Sequence, residues 1–415
     1  MAITRTQIEA ATEALRLVLE FARPADAVLR GFFREHRALG ARDRAFVAES
    51  VYGVLRRKRT VDRLAPGAGP RGRLLAYLAR CAGVSVREIA AALSPQEQAW
   101  LARVKARPLD DLTPAERAEL PDWVVERLAL PEAELLALAR GLNEPAPLDL
   151  RVNTLRAERD AVIRSLRAEG IEAAPTPYSP VGVRVKGHPA INRHPLFANG
   201  TIEVQDEASQ LVCFLVAPKR REMAVDFCAG AGGKSLMLGA LMRSQGRLYA
   251  FDTSAARLAR LGPRLARSGL TNVFPQPIAS ENDARVRRLA GKIDRVLVDA
   301  PCSGLGTLRR NPDLKWRMSP RDVQQLALKQ AAIVRAAAAL VKPGGRLVYA
   351  TCSLLAEENE DVVRALLAER GDYRKLHCGE LLAQQGIGID TGEFLKLFPH
   401  LHGTDGFFAA ALEKR

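Results

Sequence analysis

Val296-Leu297-Val298-Asp299-Ala300-Pro301-Cys302-Ser303-Gly304 and its partner Gly345-Arg346-Leu347-Val348-Tyr349-Ala350-Thr351-Cys352-Ser353 decide the fold. Each contains a run of apolar and β-branched residues, the pattern of a strand buried on both faces of a parallel sheet, and each ends in a small-residue turn carrying a cysteine. Open α/β sheets bind ligands at the carboxyl ends of their strands. If the two runs share one sheet, Cys302 and Cys352 lie on one rim and face one substrate, which suggests thiol chemistry. Free cysteine often fills core space, and Cys81, Cys213 and Cys378 read that way. Cys302 and Cys352 differ because each follows a strand and precedes a serine. With no CxxC and no metal-ligand cluster in the sequence, zinc and dithiol redox readings are weak.

The surrounding chain has 415 residues, too many for one compact core, so two or three domains are expected. Hydrophobic residues at 47% and charged residues at 26% are those of an ordinary soluble protein. The charge is unbalanced: 62 Lys and Arg against 47 Asp and Glu leave +15, with a pI near 9.9. Such a field favours a polyanion, of which nucleic acid is the commonest. Apolar runs such as Ala331 to Val341 are too short to cross a bilayer and carry Arg335. Met1 to Leu19 places Glu9 and Glu13 among apolar residues and reads as an amphipathic helix, not a signal peptide. A cytoplasmic monomer with reduced thiols, RNA as partner and no membrane association is the expectation.

Ile8, Ala11, Leu15, Val18, Leu19 and Ala22 recur at helical spacing up to Pro24. Helices are predicted over Ala25 to Arg37, over Ala41 to Arg59 with Phe46, Val47, Ser50, Val51, Val54 and Leu55 on one face, and over Arg71–Cys81, Val86–Leu93, Ala115–Leu120 and Pro131–Ala139. Residues 1–140 therefore read as an all-α domain. Its first 73 residues carry 15 Lys and Arg against 8 Asp and Glu, including Arg56-Arg57-Lys58-Arg59. That run fits either RNA contact or a solvated helix end. The domain is expected to supply RNA affinity without chemistry, so that a chain starting near Leu148 would still bind cofactor. Gly141 to Pro147 reads as a linker. Residues 148–215 follow as strand (Leu148–Asn153), helix (Ala157–Glu169) and strand (Val181–Lys186), a small α+β module. Ile202–Val212 leads into the last domain, 216–415, where strands and helices alternate as in a doubly wound parallel sheet.

That domain opens with Met223 to Phe227, then Cys228-Ala229-Gly230-Ala231-Gly232-Gly233-Lys234-Ser235, then an apolar helix. A Gly-rich turn between strand and helix lets backbone approach a ligand. A Walker A loop needs glycine where Cys228 stands, which argues against ATP or GTP. A dinucleotide fingerprint needs Gly or Ala where Ser235 stands, which weakens NAD or FAD. S-adenosylmethionine remains. The next strand, Arg247 to Asp252, ends in an acid that can accept hydrogen bonds from both ribose hydroxyls.

These segments, with Arg309-Arg310-Asn311-Pro312-Asp313-Leu314-Lys315-Trp316 and Lys342-Pro343-Gly344-Gly345, resemble the RsmB/Nop/Sun family of RNA (cytosine-5) methyltransferases. Arg42-Asp43-Arg44, Pro121-Asp122-Trp123, Leu150-Arg151-Val152-Asn153 and Val204 to Ser209 resemble its bacterial RsmB branch, whose N-terminal domain is NusB-like. Residues 64–118 and the tail after about 371 match least. The resemblance implies a class I methyltransferase fold, S-adenosyl-L-methionine as donor, and a cytosine in ribosomal or transfer RNA as acceptor. It places Cys228 to Lys234 in the cofactor turn and Asp252 on the ribose with Arg257 close by. The family has Pro where Ala231 stands and commonly ends its third strand with Gly-Asp. Here Ile278-Ala279-Ser280-Glu281-Asn282-Asp283 takes that place, so Ser280 would hold the adenine, with Asn282 and Asp283 as alternatives.

The resemblance also assigns roles. Carbon 5 of cytosine is a poor nucleophile until a thiolate adds to carbon 6, and a proton must then leave carbon 5 before the thiol is expelled. The resemblance implies Cys352 as nucleophile and Cys302 in the release step, whereas Pro301-Cys302 alone, as in the DNA enzymes, suggests the reverse. Asp299 would bond the cytosine edge and border the cofactor, with Lys234 as its charge partner. A base must be unstacked to reach such a rim, which favours single-stranded or loop RNA. Arg309, Arg310 and Lys315 are placed to hold flanking phosphates. Two further readings stay open: an RNA-binding ribosome-assembly factor on the same scaffold, and a nucleotide-dependent enzyme.

Overall fold

Strands alternate their side chains between two faces, and in the second half of this chain both faces are apolar, so the sheet they build is buried on both sides. The computed structural model describes residues 3–187 and 189–415; Met1 and Ala2, which open the predicted first helix, lie outside them. The chain divides into two units, Met1–Glu144 with Thr307–Pro320, and Pro145–Gly306 with Arg321–Arg415.

The first unit is helical. Arg5–Val18, Ala25–Glu35, Ala41–Arg56 and Pro70–Arg80 bury Ile8, Leu15, Phe32, Val47, Val51, Val54, Leu55, Leu74 and Leu75 in one core. A Cβ at Gly53, on Ala41–Arg56, would lie 2.0 Å from the hydroxyl of Tyr77 on Pro70–Arg80, so a larger residue there would displace that ring. Sequence periodicity missed the helix Pro95–Ala106, although Ser94 and Glu97 form a capping box at its start. The expected linker, Gly141 to Pro147, begins in the last turn of Glu132–Asn143, and the boundary between the two units falls within it, after Glu144. Most of the basic run is paired internally: Lys58 with Asp62 at 2.5 Å, Arg59 with Asp122 at 2.9 Å, and Arg56 Nη2 donates to Arg309 O at 3.1 Å.

In the second unit, β1 (Leu148–Val152), β2 (Ala173–Pro175), β3 (Gly182–Val185) and β4 (Ile202–Val204) form an antiparallel sheet in the order β2-β3-β1-β4. The helix Arg159–Ala168 covers it through Val162, Ile163 and Leu166. The predicted lead-in at Ile202 is thus the fourth strand of this module. The larger sheet contains β5 (Met223–Asp226), β6 (Arg247–Asp252), β7 (Val273–Pro277), β8 (Ile293–Asp299), β9 (Val341–Thr351), β10 (Tyr373–Leu376), β11 (Leu395–Leu397) and β12 (Phe407–Lys414). Its order is β10-β12-β9-β8-β5-β6-β7, with β11 beside β12.

The five strands from β7 to β9 are parallel, as expected, and β12 is antiparallel to β9. This is the sheet order that the resemblance to class I methyltransferases leads one to expect. Val225, Val296, Val298, Leu347 and Tyr349 pack on one face against Ile333 and Ala337 of the helix Pro320–Leu340. Ala224, Leu297, Val348 and Ala350 pack on the other against Leu211, Leu215, Leu236 and Leu238. Among the described residues no helix is long and apolar enough to cross a membrane.

Candidate active site

β8 and β9 are neighbours, paired Val298 with Tyr349 and Asp299 with Ala350, so their carboxyl ends lie side by side as the sequence suggested. The turns beyond them are bound together: Ala300 N donates to Ala350 O at 2.9 Å and Gly306 N to Cys352 O at 2.8 Å. A Cβ at Gly306 would lie 2.1 Å from Gly406 O, so this crossing admits only glycine. The two sulfurs face each other, Cys302 Sγ and Cys352 Sγ being 3.3 Å apart. Its hydrogen bond with Cys352, burial, and the nearby charges of Cys352 and Glu358 hold the Cys302 thiol well above its ordinary range. Cys213 and Cys378 are fully buried, and burial pushes the Cys213 thiol up to about 12 and that of Cys378 to about 11.

Beside the thiols, Lys234 Nζ meets Asp299 Oδ2 at 2.7 Å. Burial alone would lower the Lys234 pKa, but the Asp299 charge and hydrogen bond outweigh it and raise it. The ammonium also lies 5.1 Å from the centre of the Phe407 ring, a neighbour supplied by β12. Beneath the turn, Asp226 accepts from Ser235 Oγ at 2.6 Å, and burial pushes its carboxyl up to about 7.

The turn Cys228–Gly233 joins β5 to the helix Gly233–Leu241. Gly230 and Gly232 take positive φ, +56° and +81°, and a Cβ at Gly230 would lie 2.8 Å from Arg257 Nη2. Arg257 thus stands close to the turn. Asp252 closes β6 and is buried, with Oδ2 accepting Gly230 N at 2.8 Å and Oδ1 accepting Ser254 N at 2.7 Å. Each oxygen keeps a further lone pair for a ribose hydroxyl. At the end of β7, Asp283 Oδ2 accepts Ala279 N and Oδ1 accepts Arg285 N, so both oxygens serve the loop. Ser280 Oγ accepts Asn282 N at 3.2 Å and keeps a hydroxyl proton to donate. A carboxylate at one strand end, a serine at the next and an open glycine turn between strand and helix fit S-adenosyl-L-methionine.

Two predicted phosphate ligands are elsewhere. Lys315 is 1% exposed, donating to Arg56 O and Asn143 Oδ1 within the helical unit, and Arg309 is 5% exposed. Burial lowers the Lys315 pKa to about 7, which no phosphate-binding ammonium in water would show. Arg310 is half-buried. Thr307–Pro320 therefore packs with the helical unit, and Lys315 and Arg309 are buried there instead of facing a phosphate.

Sequence reasoning also missed residues that support the site. Arg151 of β1, buried, donates to Gly233 O at 2.9 Å. Arg264 donates to Ala231 O at 2.7 Å and pairs with the buried Glu203. The family-like stretch Leu150 to Asn153 did not mark Arg151 as a support of the turn, and nothing local distinguishes Arg264 from a surface arginine on a helix.

A probable ribosomal RNA small subunit methyltransferase B from Synechocystis is 34% identical, over 90% of this chain and 91% of that one. The chain belongs to the 16S rRNA methyltransferase RsmB/F family. The RsmB/F model itself matches residues 213–413, and an RsmF/B-like ferredoxin-like domain matches 120–192, overlapping the β1–β4 module. A ribosomal RNA small subunit methyltransferase B of Shewanella oneidensis is 32% identical over 92% of this chain and 93% of its own. The crystal structure of PH0851 aligns over the whole of both chains, with a TM-score of 0.81 and 27% identity. For this RsmB/F member the cofactor is S-adenosyl-L-methionine.

Proposed function

We propose that this RsmB/F member transfers a methyl group to carbon 5 of a cytosine in small-subunit ribosomal RNA, in the cytoplasm, through a covalent cysteine adduct. The observation that carries this reading is the 3.3 Å approach of Cys302 and Cys352 at the ends of adjacent parallel strands, beside the Lys234–Asp299 pair. Of the two facing thiols, the family resemblance supports Cys352 as the nucleophile, with Cys302 in the release step. Cys352 attacks carbon 6 as the thiolate, the ring nitrogen takes up a proton as charge develops on the ring, and Asp299 accepts a hydrogen bond from the amino edge or from that protonated nitrogen. S-Adenosyl-L-methionine supplies the electrophilic methyl group to carbon 5. In this reading a base then removes the carbon 5 proton, with Cys302 acting in that release step, and re-formation of the carbon 5–carbon 6 double bond expels Cys352 as the thiolate.

Cys228 to Lys234, Asp252, Arg257 and Ser280 hold the cofactor in this reading. Of the three basic residues after the Cys302 turn, Arg310 alone keeps a proposed role on a flanking phosphate. Incubating the protein with labelled S-adenosyl-L-methionine and unmethylated small-subunit rRNA, followed by bisulfite sequencing, tests the reading. One converted-resistant cytosine is expected. Label in a base other than cytosine, or none in RNA, contradicts it.

A further inference from the structure

The thiol pair needs something to hold two separate turns in register, and Glu358 is built to do so. Its side chain is fully buried with no cation salt-bridged to it among the described residues, and its charge is met by four donors. Oε1 accepts Ser303 N at 2.8 Å and Gln330 Nε2 at 3.0 Å. Oε2 accepts Ser303 Oγ at 2.5 Å and also the Ser353 hydroxyl. Ser303 directly follows Cys302 and Ser353 directly follows Cys352, so one carboxylate holds the residue after each thiol. Gln330 carries the tie to the first turn a second time, donating to Pro301 O at 2.9 Å. Glu358 is itself anchored from β9, where Tyr349 donates its hydroxyl to Glu358 O at 2.6 Å.

We propose that Glu358 is a positioning residue that clamps the Cys302 and Cys352 turns together and so sets the separation of the two thiols. This rests on the cysteine chemistry proposed above for its purpose, but not for its geometry. Four hydrogen bonds to a buried carboxylate would be a costly way to fill space, because a well-packed apolar side chain would avoid the desolvation. The arrangement makes sense where position matters, since an error of about 1 Å in a reacting pair costs on the order of 100-fold in rate. In Glu358→Gln the amide oxygen can keep Ser303 N and Gln330 while its NH2 donates to both serine hydroxyls. Every contact then survives and the charge does not.

The test reads thiol position without RNA. The full chain is treated with diamide, which takes two hydrogens from the thiols and leaves a Cys302–Cys352 disulfide, and the cross-link is followed by peptide mass spectrometry. Glu358→Ala is expected to slow it about 100-fold, with unchanged cofactor affinity showing that the sheet is intact, and Glu358→Gln to restore it to near the wild-type rate. If Glu358→Ala does not fold, Ser353→Ala carries the test, removing one arm of the clamp and slowing cross-linking about 10-fold. Wild-type cross-linking rates in the folded variants would overturn the proposal. A wild-type protein that methylates no cytosine while the cross-linking falls as predicted would overturn the functional reading and leave the clamp standing.

Discussion

Lys315 Nζ donates to Asn143 Oδ1 at 3.0 Å, tying the motif that follows the Cys302 turn to the last helix of the N-terminal unit. The same ammonium reaches Arg56 O, the neighbouring Trp316 indole donates to Leu55 O at 2.8 Å, and Asp313 Oδ2 accepts Ala25 N at 3.1 Å. Thr307–Pro320 is thereby part of the helical fold, threaded into it by hydrogen bonds whose partners lie some 170 to 290 positions earlier. The place of Lys315 just after the catalytic turn suggested a phosphate contact; its burial assigns it to the helical unit.

A pH prediction follows from that burial. The Lys315 pKa falls from the ordinary 10.5 to about 7, chiefly through desolvation, so between these values the unfolded chain binds more protons than the folded one. Stability therefore rises with pH across this window. Unfolding free energies by denaturant from pH 7 to 10 should rise for the wild type relative to Lys315→Met. Parallel profiles would show that Lys315 does not titrate in this way.

Deleting the helical domain should do more than remove RNA affinity. A chain beginning at Leu148 keeps Thr307–Pro320 but strips it of Ala25, Leu55, Arg56 and Asn143, leaving the Lys315, Trp316 and Asp313 hydrogen bonds unmade. Reduced solubility and a lower melting temperature are expected, in contrast to the sequence-based expectation of an intact cofactor-binding fragment. A shortened chain that melts like the full one and binds S-adenosyl-L-methionine equally well would refute this.

Asp252 has two tasks in the structure, holding Gly230 N and Ser254 N and presenting its remaining lone pairs. Asp252→Ala should weaken S-adenosyl-L-methionine binding by about 1.5–3 kcal/mol, the scale of hydrogen bonds to a charged group. Asp252→Asn keeps one oxygen acceptor and should lose less. Calorimetric titration of both variants provides the measurement, and equal affinity for wild type and Asp252→Ala would remove this residue from the site.

What was legible in the sequence tracks how locally each feature is encoded. The buried strands announced themselves, because runs such as Val296–Val298 have no other environment to occupy, and the turns that end them carry the cysteines. Side-chain destinations were less legible. Lys315 and Arg309 look like any basic residues after a catalytic turn, and only tertiary packing shows that both are buried, Lys315 against Arg56 and Asn143. Glu358 lies in the acidic run Glu357-Glu358-Asn359-Glu360, which reads as the solvated start of a helix, yet its donors come from Ser303, Gln330 and Ser353. β12 was missed because the tail matched the family least; it supplies Phe407, against which Lys234 rests.

The central claim is that Cys352 attacks and Cys302 acts afterwards, and the adduct itself reports this most directly. Each single variant and the double variant are incubated with small-subunit rRNA and S-adenosyl-L-methionine, then run on a denaturing gel. Cys302→Ala should methylate but fail to release, giving a slow-migrating protein–RNA band. Cys352→Ala and the double variant should give no band and no methyl transfer. The band in Cys352→Ala instead would make Cys302 the nucleophile, and full turnover by both single variants would contradict cysteine catalysis altogether.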